Sequence, residues 1–167
     1  MDAMEAILTR RSIRKYTAQA VSDELIKELL QAAMSAPSAG NQQDWQFVVV
    51  RSRQMLDELG KVHPYAPIGG APLAILVCGD LQRESHQGFW TQDCAAATQN
   101  LLLAAHAKGL GAVWCGCYPR EARAAGLRKL LGLPEHVVPL ALVVIGYPAE
   151  KKGREDRYDP AKVRVVD

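Results

Sequence analysis

Residues Arg10 to Tyr16 read RRSIRKY, four cations closing around one serine. Like charges at such spacing repel by about 0.2–0.5 kcal/mol per pair unless an anion neutralises them. Guanidinium forks bind phosphate oxygens two at a time, and a serine hydroxyl adds a donor. The segment therefore reads as a site for a small phosphate-bearing anion. A second stretch, Ala36 to Phe47, reads APSAGNQQDWQF, dense in amides and hydroxyls with the flexible pair Ala39 and Gly40 at its centre. It exceeds an ordinary connecting turn, and long ordered loops are commonly functional. Asn41, Gln42 and Gln43 offer donors and acceptors suited to the edge of a heteroaromatic ring rather than to a charge.

Other chemistries fail on spacing. Gly109, Gly111 and Gly116 form GxGxxxxG, which leads from a helix into a strand, whereas a dinucleotide fingerprint leads from strand to helix. No GxxxxGK[ST] phosphate loop occurs. His63, His86, His106 and His136 are scattered without a second ligand at metal-binding spacing. Cys115 and Cys117 make CxC, not a redox CxxC, and we expect at most one of them to reach a pocket. Ser38 lies in PSAGN and not in a nucleophile elbow.

The elements that must position these residues follow from hydrophobic period. Asp2 and Glu5 form a capping box for a helix ending near Arg10, and Ser22 caps a second helix that Pro37 closes. Apolar, β-branched runs at Phe47–Val50, Leu73–Val77, Ala112–Cys115 and Leu140–Ile145 predict four buried strands. Helices are predicted near Gln54–Gly60, Thr91–Lys108 and Arg120–Leu131, the last closed by Gly132 and Pro134. Helix and buried strand alternating around one sheet give a layered α/β or α+β domain. From Pro148 the chain turns polar and ends in alternating Val and Arg, which suits an edge strand lying on this domain or on a second copy.

Composition narrows the class. At 167 residues and 49% hydrophobic, the chain can bury one core without disulfides or metal. The net charge of +2 conceals an uneven spread. Residues 1–15 carry four basic and two acidic groups, 16–147 carry ten and eleven, and 148–167 carry six and five. That excess is too small and too short for a nucleic-acid binder, but enough for a small anion. The four cysteines lack a disulfide framework, no signal peptide precedes Asp2, and no apolar stretch reaches the about 20 residues that span a bilayer. We expect a cytoplasmic protein without membrane or nucleic-acid partners.

The two polar segments, in this order, resemble the FMN-dependent nitroreductase family. The likeness continues through DCAAATQNLLLAAHAKGLGAVWCG (Asp93–Gly116), PLALVVIGYPAE and DRYDPAKV, and so covers nearly the whole chain. It implies an α+β fold with a central, mostly antiparallel sheet flanked by helices. Residues 1–147 would form the FMN-binding core and 148–167 an arm exchanged in a homodimer. Carried over by position, Arg10, Ser12 and Arg14 would hold the FMN phosphate and ribityl chain, with Arg11 between them contributing backbone contact. Pro37, Ser38, Ala39, Asn41 and Gln43 match the loop that approaches the flavin from the other subunit. Cys115 and Gly116 match the pair whose N–H groups face the isoalloxazine near N5 and O4, and Arg157 matches a tail arginine on the phosphate.

The resemblance further implies hydride transfer from NADH or NADPH to flavin N5, then a ping-pong exchange with a nitroaromatic, quinone or similar oxidant. The flavin carries that chemistry, so no catalytic side chain and no metal are expected. Three positions depart from the pattern. Asp44 stands where members often have Pro, Ala39 where many have Ser, and Glu155 where a second basic residue often sits, a role open to Arg154. An FMN-binding module for sensing or storage is the alternative from another class, and a phosphate-ligand binder without flavin is a third.

Overall fold

Every strand predicted from an apolar run forms, and so does every predicted helix, with ends moved by at most three residues. The computed structural model describes residues 1–166; Asp167, the last residue of the expected arm, lies outside them. Helices α1 (Ala3–Thr9), α2 (Asp23–Met34), α3 (Arg53–Val62), α4 (Trp90–Ala107) and α5 (Glu121–Leu130) surround strands β1 (Trp45–Val50), β2 (Leu73–Asp80), β3 (Gly111–Gly116) and β4 (Val137–Gly146). The sheet order is β1-β2-β4-β3 and every pairing is antiparallel.

The sheet is covered on both faces, so its central strands read as continuous apolar runs rather than alternating ones. Leu73, Ile75 and Val77 of β2 pack with Val143 and Ile145 of β4 under α2 and α4. Ala74, Leu76 and Cys78 point the other way and pack with Leu142, Val144, Leu56 of α3 and Leu127 of α5. Burying each such leucine contributes about 1.5–3 kcal/mol. Helix ends follow local chemistry. Asp2 accepts from the Glu5 N–H at 2.9 Å and Ser22 from Leu25 at 3.3 Å. Left-handed Gly132 lets the Leu133 N–H reach back to Arg128 O at 3.0 Å. Helix α2 ends at Met34 with Ser35 as its cap, ahead of Pro37.

The arm adds no edge strand to its own chain's sheet. Arm residues Val163, Val165 and Val166 form no strand and are exposed. Among the described residues the arm's backbone bridges its own chain at its root, where Tyr16 bridges Pro148 and the Ala149 N–H donates to Lys15 O at 2.8 Å, and side chains tie it further along. Beyond that point no sheet edge runs beside it.

The Arg10–Tyr16 segment is held against β3. Ser12 bridges Ala112, and the Ile13 N–H donates to Ala112 O at 3.0 Å. Gly111 permits this approach, since a Cβ there would stand 2.6 Å from the Ile13 side chain. Gly111→Ala is therefore expected to destabilise the fold by about 1–3 kcal/mol through overpacking. Urea denaturation measures this, and an unchanged midpoint would mean that Ile13 does not pin the segment.

Candidate functional site

Arg10 closes α1, and the next residues run out along β3 between two hollows. The first hollow, about 370 Å³, is lined by Ile7, Leu8, Arg10, Arg11, Arg157 and Tyr158 among others. Arg10 makes no ion pair among the described residues. Burial, then the charges of Arg157 and Arg11, push its pKa below the ordinary arginine value, which is the mark of crowded positive charge. Arg11 donates to Gly153 O at 2.6 Å and pairs with Glu155 at 2.5 Å, while Arg157 reaches the same carboxylate at 2.7 Å. The root of the arm is tied to the segment as well. The Arg14 N–H donates to Glu150 at 2.6 Å and Lys152 donates to Ser12 O at 2.7 Å.

The second hollow, about 350 Å³, is lined by Arg14, His63, Tyr65, Trp114, Cys115, Gly116 and Arg123. Here the β3–β4 register decides what the backbone offers. Cys117 N–H donates to Leu140 O at 2.8 Å, and the register runs Cys115↔Leu142, Gly116↔Ala141. Antiparallel hydrogen bonding alternates, so the backbone groups of Cys115 turn toward β4 and those of Trp114 and Gly116 toward the open edge. The Cys115 N–H, expected beside Gly116 as a ring contact, is thus turned away, and the Gly116 N–H remains. A Cβ on Gly116 would meet nothing within 4 Å, so a flat group can approach it closely.

The amide loop is built by three left-handed residues, Gly40, Asn41 and Gln43, with φ of 53°, 57° and 48°. Gly40 suits its left-handed backbone, and a Cβ there would lie 2.1 Å from the His86 ring, which would have to move aside. Ser38 Oγ accepts from the Gln43 N–H at 3.0 Å, and the Gln43 amide donates to Asn41 at 2.9 Å. Asp93 in the first turn of α4 anchors the loop, accepting from the Ala39 N–H at 2.9 Å and the Gln42 amide at 2.6 Å. Pro37, Asn41 and Gln43 remain exposed.

The amide loop and the arginine segment do not meet within one chain. The loop sits on Asp93, whereas Thr9, next to Arg10, bonds His106 at the other end of α4 at 2.8 Å. Thirteen residues of helix separate the two anchors, about 20 Å.

The Nitroreductase family model matches residues 7–64 and 61–147. The chain belongs to the nitroreductase family. A Methanothermobacter thermautotrophicus protein provisionally named NADH dehydrogenase/NAD(P)H nitroreductase is 52% identical over 99% of this chain and 87% of its own length. A provisionally named NADH oxidase from Clostridium acetobutylicum, solved as a crystal structure, superposes with a TM-score of 0.94 at 40% identity over 97% of this chain and 99% of that one. A provisionally named nitroreductase from Desulfovibrio desulfuricans, solved in complex with FMN, gives 0.87 at 37% identity over 100% and 98%.

In this nitroreductase-family chain the thiols are inert. Burial pushes Cys115 up to about 11 and Cys117 to about 12. Both side chains share one sheet face, as residues two apart must, and only Cys115 reaches the hollow. Two residues that spacing could not reveal converge on Gly116. His63 lies 3.1 Å from its carbonyl oxygen and Arg123 donates to it at 2.6 Å. No helix among the described residues is long and apolar enough to cross a membrane.

Asp44 supports the loop from below. It is fully buried, accepts from the Gln42 amide at 3.1 Å, and leaves its other oxygen without a partner. Burial first, then the carboxylates of Asp93, Glu84 and Asp80, push its pKa up to about 6. A folded-state value above the unfolded one, about 3.9, means stability that is present below pH 4 and lost as pH rises through about 6. Asp44→Asn is expected to exceed the parent chain in stability by about 2 kcal/mol at pH 8, with the gap closing toward pH 4. Chemical denaturation across that range reads it; a gap independent of pH would refute the buried charge.

Proposed function

We propose that the chain is an FMN-dependent NAD(P)H oxidoreductase that works as a homodimer and reduces nitroaromatics, quinones or similar small oxidants. The observation that carries this reading is the distribution of donors. Cations fit for a phosphate line one hollow, an open strand edge fit for a flat ring lines the next, and an amide loop sits at the end of α4 remote from Arg10, about 20 Å along that helix. Relatives named FMN reductase and NADPH-flavin oxidoreductase, at 29% and 32% identity, support it, as does the FMN complex of the Desulfovibrio desulfuricans chain.

The residues fit the group. A phosphate monoester carries about −1.5 to −2 charges at neutral pH and would relieve the repulsion among Arg10, Arg11 and Arg157. Ser12 lies between the two hollows, in place for the ribityl chain, and Arg14 lines the second one. The Gly116 N–H, at an edge with no Cβ in the way, meets the ring, with Arg14 and Arg123 adding positive charge nearby. FMN held there would supply two-electron hydride chemistry between NAD(P)H and the oxidant in a ping-pong cycle. The protein orients the two substrates in turn and excludes water.

The second copy completes the site. Its Pro37, Ser38, Ala39, Asn41 and Gln43 would close over the ring, and the arm, tied at its start to its own chain, would pack its exposed end on the second copy. Met1, Met4, Ile7, Leu8 and Met34 form an exposed apolar surface on α1 and the end of α2 that a second copy would cover.

Purified chain mixed with FMN and then anaerobically with NADH or NADPH should lose its flavin absorbance within the turnover time and regain it when an oxidant is added. Uptake of FMN without bleaching would make the chain a sensing or storage module; no uptake would overturn the reading. Arg10→Ala is expected to weaken FMN binding by about 1.5–3 kcal/mol and to leave riboflavin binding unchanged, as read by fluorescence titration. Truncation after Tyr147 is expected to abolish the dimer in sedimentation; an FMN-loaded dimer of the truncated chain would disprove the arm exchange.

A further inference from the structure

We propose that His63 and Arg123 are positioning residues that clamp the Gly116 carbonyl, so fixing the Gly116 N–H toward the flavin ring and setting the electron affinity of the bound flavin. The inference rests on the FMN reading above. Gly116 ends an edge strand, where the ladder's last restraint on the peptide that follows it is the Cys117 N–H on Leu140 O, and it has no side chain to limit its φ and ψ. Two donors from separate elements close on its one carbonyl oxygen. His63 caps the C-terminus of α3 and stands 3.1 Å away; Arg123, in the first turn of α5, stands 2.6 Å away. In an extended strand the N–H and C=O of one residue point to the same side. The plane before Gly116, which carries its N–H, is set by the Cys115↔Leu142 pairing, and the plane after it is held by Cys117 on Leu140 and by the two donors on the Gly116 carbonyl; with both flanking planes held, the N–H stays turned to the open edge.

Histidine at position 63 is hard to explain otherwise. The side chain is 1% exposed. Bonding a carbonyl requires the proton on Nε2, which leaves Nδ1 as a buried acceptor, and Nδ1 has no partner. Such an orphan costs about 1–3 kcal/mol, and an apolar side chain would fill the space without it. What histidine adds there is its donor to Gly116. Arg123 is likewise held from two sides, its guanidinium 5.4 Å from the centre of the Tyr65 ring and its Nη1 on the carbonyl. This fixes one positive charge at the open edge of β3, where it favours negative charge accumulating on a bound ring.

The test uses the full-length chain and the variants H63L, H63Q, R123Q and R123K, each checked for folding by circular dichroism. Three quantities are read: FMN affinity, the midpoint potential of the bound flavin, and the carbonyl carbon-13 shift of Gly116 without FMN. R123Q is expected to lower the midpoint potential and weaken FMN about tenfold, with R123K restoring much of the potential. H63L is expected to weaken FMN by a similar factor, and H63Q, which keeps a donor near the Nε2 position, to recover it. The Gly116 carbonyl shift should move in H63L and R123Q. Unchanged affinity and potential in folded R123Q overturn the proposal, as does H63Q behaving like H63L. Should the parent chain take up no FMN, the functional reading fails by itself. The carbonyl shift still judges the clamp, and an unmoved Gly116 signal in R123Q rejects it.

Discussion

The ladder between β3 and β4 is the constraint on which the rest of this structure depends. Its register fixes which backbone groups of β3 are consumed inside the sheet and which face outward along a free edge. At one end of that edge the Ala112 carbonyl receives the Ile13 N–H and so docks the arginine segment. At the other end the Gly116 carbonyl receives His63 and Arg123, and the Gly116 N–H stays open. A shift of one residue would turn all of these groups inward at once. The register is secured by Leu142 and Val144, whose side chains are fully buried under α3 and α5.

Charge is organised around the same edge. The small net charge hides a gathering of cations from the two ends of the chain, with Arg10, Arg11 and Arg157 lining one hollow. Their repulsion is only partly met. Glu155 pairs with Arg11 and Arg157, and Arg10 is left without an ion pair among the described residues. These contacts are exposed and each contributes little to stability, so the segment is placed by its backbone bonds to β3 and not by its salt bridges. The division is useful for binding, because the guanidinium groups can change partners while their backbone stays fixed.

The elements were legible because each strand is an apolar run bounded by turn residues, and three of the five helices carry a terminal signal read from the sequence: Asp2, Ser22 and Gly132. The arginine segment and the amide loop were legible because their composition has no use in a core. Sequence could not show that the loop and the arginines lie at opposite ends of α4, since that follows from the packing of Asp93 and His106 on distant partners. His63 and Arg123 were invisible for a related reason. They act on a backbone carbonyl, which every residue has, so no spacing between side chains announces them. The alternation that separates Cys115 from Gly116 depends on where the ladder starts, and composition says nothing of that. The arm's Val and Arg alternation suits a strand, but a strand also needs an edge to pair with, and the chain's own sheet offers it none.

Strain in the molecule is concentrated where the sequence breaks local rules. Among the described residues two buried side-chain atoms lack any partner, one oxygen of Asp44 and Nδ1 of His63. The first lies under the amide loop and the second under the open end of β3, so each supports one half of the site. The two non-glycine residues with left-handed backbone, Asn41 and Gln43, belong to that same loop. Each of these features costs about 1–3 kcal/mol, and a chain selected for stability alone would shed them. The sheet core, by contrast, holds no such defect. Its leucines, valines and isoleucines supply the surplus that lets two small regions remain unfavourable, and those regions are the ones the proposed cofactor would touch.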